Sequence, residues 1–246
     1  MIPPFKILPS PENLAVHLAE EFKQLSDSGG RHREKLHIAL SGGSTPKISF
    51  RLLAQPRYRN KINWKRLHVY WGDERCVPPD HPESNYGMTR ENLLQYIEIP
   101  ESNIHRIKGE LVPDQAANSY SREIQQNVPS GMGGIPCFDW LLLGMGEDGH
   151  TASMFPGSEV LNIKDKICAV SAHPESGQKR VTLTLPVINH AKKVTFLVTG
   201  KSKSRVISEI FNRATGFDHY PVSLIHPSHG EIEWLLDTAA ASSLSI

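Results

Sequence analysis

The sequence predicts an α/β fold in which a mostly parallel sheet carries helices on both faces. Three observations predict it. Apolar runs such as residues 36–40 and 67–71 are continuous rather than alternating, the pattern of strands buried on both faces. Segments of helical periodicity lie between the runs, the order expected when strands and helices alternate. Each run also ends at a polar or glycine-rich turn, at 41–46, 72–75 and 144–150.

Taken in order, Ser10 reads as an N-cap, with Pro11 at the first helical position and Glu12 in the first turn. Leu14, Leu18, Phe22 and Leu25 then recur at helical spacing, so a helix is expected to about Ser28, stopped by Gly29 and Gly30. Leu36-His37-Ile38-Ala39-Leu40 is a strand that feeds Ser41-Gly42-Gly43-Ser44-Thr45-Pro46 and a helix. The strand at 67–71 breaks at Gly72-Asp73-Glu74-Arg75, read as a polar turn, and the strand at 138–143 breaks at Gly144-Met145-Gly146-Glu147-Asp148-Gly149-His150. Further strands are expected at 167–171, 181–185 and 193–198, with helices at 85–96, 114–126 and 202–212. In open sheets of this kind ligands bind beyond the carboxyl ends of the strands. The loops at 41–46, 72–75, 144–150 and 198–203 fall at that edge, so chemically loaded residues far apart in sequence converge there.

The 246 residues suffice to bury roughly 70–75% of the unfolded chain's surface. No block repeats at a solenoid period, and the simplest organisation is one domain over 1–246. Lys and Arg number 27 against 26 Asp and Glu, and a net charge of +1 offers no electrostatic footprint for nucleic acid or an anionic membrane. No stretch approaches the roughly 18 unbroken apolar residues of a spanning helix, and the start lacks the charged and apolar regions of a signal peptide. The three cysteines, Cys76, Cys137 and Cys168, have neither C-x-x-C spacing nor a disulfide pattern. A soluble cytoplasmic protein is expected.

The 41–46 loop offers flexible backbone donors, hydroxyls and a helix start, which together suit a phosphate; an ordinary tight turn capped by Ser44 fits the local sequence equally well. It lacks the Gly-Lys-Ser/Thr of a Walker A loop. Gly144-x-Gly146-x-x-Gly149 formally matches a dinucleotide fingerprint, but Glu147 and Asp148 put two carboxylates where a pyrophosphate would lie. What remains is a turn presenting Asp148 and His150, a carboxylate able to fix the tautomer of an imidazole and raise its basicity. In isolation such a turn is more often a capping Asp beside an exposed His. Arg75 offers a planar fork of donors to a phosphate or carboxylate, whereas Asp73-Glu74-Arg75 read blandly is a surface charge cluster. Lys203 and Arg180 gain meaning only by convergence.

There is no G-x-S-x-G elbow and no H-E-x-x-H helix, so a serine esterase or a zincin has no local support. His226 and His229 flank a proline and read as a solvated turn rather than a metal site, and His173, His190 and His219 take the same default. Cys76 reads as a buried structural thiol.

Taken together, these segments resemble the 6-phosphogluconolactonase family, within the wider group that includes glucosamine-6-phosphate deaminase. The resemblance rests on Leu40 to Pro46, on Trp71-Gly72-Asp73-Glu74-Arg75-Cys76-Val77-Pro78 with Ser84-Asn85-Tyr86, on Leu143 through Gly157, on Arg180 to Pro186, and on Thr199-Gly200-Lys201-Ser202-Lys203. It implies a modified Rossmann-like domain that hydrolyses 6-phospho-D-glucono-1,5-lactone to 6-phosphogluconate in the oxidative pentose phosphate pathway, without metal or organic cofactor. It implies His150 as the acid/base, supported by Asp148. It also implies a sugar-phosphate site framed by Gly42, Gly43, Ser44, Thr45, Asp73, Arg75, Arg180 and Lys203, with Arg75 as an alternative donor to the oxyanion. Functional coupling to glucose-6-phosphate dehydrogenase, the enzyme upstream, is left as an option. In the deaminase relatives the D-G-H turn is followed by an Ile-Ala-Phe-Asn-Glu-Pro type segment, whereas here Thr151-Ala152-Ser153-Met154-Phe155-Pro156 follows. That departure favours lactone hydrolysis over aminosugar ring opening, since residues 151–157 hold no carboxylate to partner the imidazole. A non-catalytic sugar-phosphate sensor is disfavoured, because only about ten residues precede the first helix and no basic DNA-binding segment is present.

Overall fold

The computed structural model describes residues 4–27 and 35–244. In chain order its elements are β1 (Phe5–Leu8), α1 (Pro11–Asp27), β2 (Leu36–Leu40), α2 (Ser44–Leu53), α3 (Pro56–Arg59), β3 (Leu67–Trp71), β4 (Asp73–Arg75), α4 (Asn85–Asn92) and α5 (Pro113–Asn127). They continue with β5 (Trp140–Leu143), β6 (Cys168–Ala172), β7 (Lys179–Leu183), α6 (Leu185–Ile188), β8 (Lys193–Val198), α7 (Ser204–Phe211) and β9 (Glu231–Asp237). Ser10 does accept from the Asn13 backbone N–H at 3.3 Å at the start of α1, while the expected stop at Ser28 to Gly30 lies outside the described residues.

Six strands form one wholly parallel sheet in the order β1-β9-β8-β5-β2-β3. Every residue of β2, β3 and β5 is buried, which requires cover on both faces and explains why these strands read as unbroken apolar runs. One contiguous apolar cluster runs through the molecule, with Trp71, Trp140 and Trp234 among its largest fully buried side chains.

Several expectations need correction. Residues 73–75 are not a turn but strand β4, and the strands at 167–171 and 181–185 belong with it in a separate antiparallel sheet, ordered β4-β7-β6. The chain crosses between sheets at Gly72, whose N–H donates to Leu40 O and whose carbonyl accepts from Leu183 N, both at 2.8 Å. β1 and β9 were not foreseen. β1 has only four residues, and Glu231 and Glu233 make the start of β9 read as polar because Glu233 faces Lys193 at 3.2 Å. The helix expected over 85–96 ends at Asn92, and the strand expected to Leu185 ends at Leu183, where Pro186 sits in the first turn of α6.

Candidate active site

A cleft of about 260 Å³ opens at the carboxyl end of the large sheet. β2 delivers Ser41, Gly42 and Gly43 to it and turns into α2, with Gly43 at the N-cap in a left-handed conformation (φ 103°). No side chain caps α2, Ser44 included, and Ser44 and Thr45 line the cleft. The helix therefore presents its positive end and its free first-turn N–H groups to whatever binds there. Gly42 is required by close approach, because a Cβ there would land on the Asn85 carboxamide. That side chain donates from Nδ2 to Asp73 O at 2.9 Å. The Thr45 and Thr199 hydroxyls, 2.6 Å apart, tie the start of α2 to the end of β8.

The antiparallel sheet supplies the charge. Asp73 is buried, and its Oδ2 accepts from Ser153 Oγ at 2.5 Å. Glu74 points the other way and is structural: it accepts from Ser84 Oγ and from the backbone N–H groups of Arg75, Asn85 and Tyr86 at 2.7 to 3.0 Å. Burial pushes the Glu74 carboxyl up despite those donors. Arg75 and Arg180 are direct cross-strand partners and both line the cleft. Like charges so placed destabilise a sheet. Arg75 Nη1 donates to Glu83 O at 2.6 Å, yet the Nε of each arginine is buried without a partner. Burial, and then the charge of Arg75, hold the Arg180 guanidinium below its ordinary value. Its guanidinium lies 5.5 Å over the Phe155 ring.

β5 ends in the turn that carries the imidazole. Gly146 has no room for a Cβ, which would collide with the His150 ring and Asp148 Oδ1, and its N–H donates to His150 O at 2.8 Å. Asp148 Oδ1 lies 2.6 Å from His150 Nδ1 and 3.1 Å from the His150 N–H. Burial raises the Asp148 carboxyl, but the hydrogen bonds and charge of His150 outweigh it and leave Asp148 below its usual range. An ionised carboxylate only accepts, so Nδ1 carries a proton and Nε2 is the nitrogen that faces away from Asp148 and can exchange one. Phe155 packs on the imidazole at a centroid distance of 4.8 Å. Ala152, also on the cleft wall, takes a left-handed φ of 49°, strain of the kind a binding site retains. In the turn between β8 and α7, Lys203 reaches the cleft with its Nζ 3.7 Å from Glu147 Oε1.

The structure thus brings Gly42, Gly43, Ser44, Thr45, Asp73, Arg75, His150, Arg180 and Lys203 to one cleft, with Asp148 directly behind His150. Sequence reasoning assigned no role to Asn85, Ser153, Phe155 or Thr199. Asn85 had a signal in the glycine it faces, and the others become visible only when the two sheets meet. Cys76 is half-buried rather than buried, with burial and then Glu74 pushing its thiol up. His226, His229 and His219 are exposed and His173 and His190 half-buried, all outside the cleft lining. The one group of residues spaced to hold a metal ion among those described is His17, Glu21 and Glu233, where Lys193 already bridges both glutamates.

A family model described as glucosamine-6-phosphate isomerases/6-phosphogluconolactonase matches residues 9–234. The chain belongs to this family. A 6-phosphogluconolactonase of Haemophilus influenzae is 44% identical over 237 residues, covering 96% of this chain and 97% of the relative. The crystal structure of a protein described as devB superposes with a TM-score of 0.91 at 42% identity, covering 98% of this chain and 99% of that one. The 6-phosphogluconolactonase of Trypanosoma brucei superposes with a TM-score of 0.87 at 30% identity, covering 99% of each chain. Among the described residues no helix is long and apolar enough to cross a membrane.

Proposed function

We propose that this family member hydrolyses 6-phospho-D-glucono-1,5-lactone to 6-phosphogluconate, the lactonase step of the oxidative pentose phosphate pathway, with His150 as its acid/base. Relatives named for that activity at 42–44% identity over nearly the whole chain support the reaction. The observation that carries the residue roles is the Asp148–His150 pair opening into a cleft that also holds two arginines, a lysine and a helix N-terminus.

Nε2 of His150 takes a proton from water as the water oxygen bonds to the lactone carbonyl carbon. The carbonyl oxygen becomes an oxyanion, for which Arg75 is the available donor. Collapse breaks the bond to the ring oxygen, and the imidazolium returns its proton there, leaving an open-chain acid that ionises. Asp148 holds the imidazole in the Nδ1–H tautomer and stabilises the imidazolium. Arg180, Lys203 and the 42–45 loop take the phosphate, a dianion that needs full charges as well as dipoles. Functional coupling to glucose-6-phosphate dehydrogenase belongs to this proposal as the source of the lactone.

Aminosugar ring opening is the competing reading, and the surroundings of His150 disfavour it. The face of the imidazole at residue 155 carries an apolar ring, and Asp73, the base such chemistry would use, is bound to Ser153. A coupled assay of lactone disappearance, corrected for spontaneous hydrolysis, tests the proposal. Purified protein should accelerate it and should release no ammonia from glucosamine 6-phosphate; ammonia release without lactone acceleration overturns the reading.

A further inference from the structure

The turn that carries His150 is braced from behind by a segment that never reaches the cleft. Gly149 sits in a left-handed conformation (φ 74°), and a Cβ there would land on the Tyr220 ring. The Gly149 carbonyl accepts from Val222 N at 3.1 Å, so ring and backbone from one segment hold the same peptide. Tyr220 is buried, at 4% exposure, and does not line the cleft. Its hydroxyl donates a short hydrogen bond to Glu209 Oε2 on α7. The residue that starts α7, at its N-cap, is Lys203. One eight-residue helix therefore has the cleft lysine at its front end and the tyrosine's anchor in its last turn.

We propose that Tyr220, tethered by Glu209, is a positioning residue that fixes the Asp148-Gly149-His150 turn relative to the phosphate-binding end of α7. The proposal rests on the lactonase reading above. Rotation of a ring that supports a single peptide moves the imidazole without altering either arginine or the 42–45 loop, so the tether acts on turnover and not on substrate affinity. A ring held by both burial and a hydroxyl anchor has one orientation; a ring held by burial alone has more. Displacement of a reacting group by a fraction of an ångström weakens catalysis while ground-state binding is kept.

The test is a double-mutant cycle on steady-state lactone hydrolysis. Tyr220→Phe keeps the ring under Gly149 and loses the anchor; kcat should fall about tenfold with KM, and the dissociation constant of 6-phosphogluconate, unchanged within about twofold. Glu209→Ala should reproduce that loss, the double variant should be no worse than either single one, and Glu209→Gln, which keeps an acceptor oxygen, should recover most of the activity. Wild-type kcat in Tyr220→Phe, additive losses, or a change confined to KM would each overturn the proposal. Thermal unfolding of each variant gives the folded fraction at the assay temperature, and a kcat loss that vanishes on correction for it also overturns the proposal. If the lactonase reading itself fails, the wild-type protein shows no acceleration at all, which separates the two failures.

Discussion

The two sheets that meet at Gly72 arrange their charged groups differently. In the large parallel sheet the polar groups on β2 and β3 and at the turn beyond β5 are paired, while Trp234 Nε1 on β9 is buried without a partner. His37 donates its backbone N–H to Asp139 Oδ2 at 2.7 Å, the buried imidazoles of His68 and His105 share a hydrogen bond at 2.9 Å, and the turn beyond β5 pairs His150 with Asp148. The small antiparallel sheet places Arg75 across from Arg180 and leaves a buried Nε on each unpartnered. The difference separates two tasks. On the proposed function, the parallel sheet holds the Asp148–His150 pair in fixed geometry, and the antiparallel sheet holds two like charges whose repulsion a bound anion would relieve.

The sharpest break in this contrast is at the parallel sheet's edge. His150→Ala removes the acid/base and should lower kcat by about two to four orders of magnitude, with the fold and the binding of 6-phosphogluconate retained. Single-turnover rates and product titration on the folded variant check both halves. Near-normal turnover would remove the imidazole from the mechanism.

The same sheet should also set the acid limit of stability. Burial pushes His37 down to about 4 against the opposing pull of Asp139, with His105, Lys35 and Lys192 adding to the depression. Burial likewise pushes His68 to about 4, with His37, His105 and Lys35 acting in the same direction. Tyr70 lies against His37, and Glu123 against His105 at 2.7 Å. A base whose folded pKa is depressed stays neutral in the fold while the unfolded chain takes up its proton. This stability is therefore complete above pH 6.5 and lost progressively as pH falls toward 4, by an amount on the order of 3 kcal/mol for each imidazole. Urea unfolding at pH 7, 5.5 and 4.5 measures it; a flat profile over that window would show that the imidazoles are not the controlling groups.

For the antiparallel sheet the expected signs diverge. Arg180→Met removes the like charge facing Arg75 and keeps a contact with Phe155, so the thermal midpoint should rise, by up to about 1 kcal/mol in stability. The same change removes a charge-assisted phosphate contact and should reduce kcat/KM about tenfold or more. If stability and activity fall together, the arginine pair is part of the scaffold and not a strained anion site.

How legible all this was in the sequence follows the same division. The parallel strands were readable because burial on both faces forces continuous apolar runs, as at 36–40 and 67–71. The glycine turns at their ends were readable too, and the convergence of Gly42, Asp148 and His150 followed from topology. The antiparallel sheet was only partly readable: strands were expected where β6 and β7 lie, but neither β4 nor the separate antiparallel pairing was. Asp73, Glu74 and Arg75 have the composition of a turn, and they form a strand only because β7 supplies the ladder and because four donors near α4 satisfy Glu74. That pairing also sets Arg75 against Arg180, so the strained half of the site depended on a long-range register that no local pattern encodes. Tyr220 was invisible for a related reason: its partners, Gly149 and Glu209, are 71 and 11 residues away in sequence.

The finest test of the contrast is on Lys203, the cleft cation that follows β8 of the parallel sheet. Lys203 differs from the arginines in having a counter-charge, Glu147, at 3.7 Å. Its charge is therefore partly offset, and on the proposed function a phosphate would compete with a carboxylate for it. Lys203→Ala should raise KM about five- to tenfold with a smaller change in kcat, the signature of a contact equally strong in ground and transition states. Glu147→Gln should act in the opposite direction and weakly, because Glu147 is 67% exposed and ion pairs at that exposure contribute little. A fall in KM of about two- to threefold at low salt is expected, disappearing near 0.5 M salt as the charges are screened. If Glu147→Gln instead raises KM, the carboxylate is orienting Lys203 toward the substrate and not competing for it. The lysine would then be prepositioned by its neighbour, as Asp148 prepositions His150.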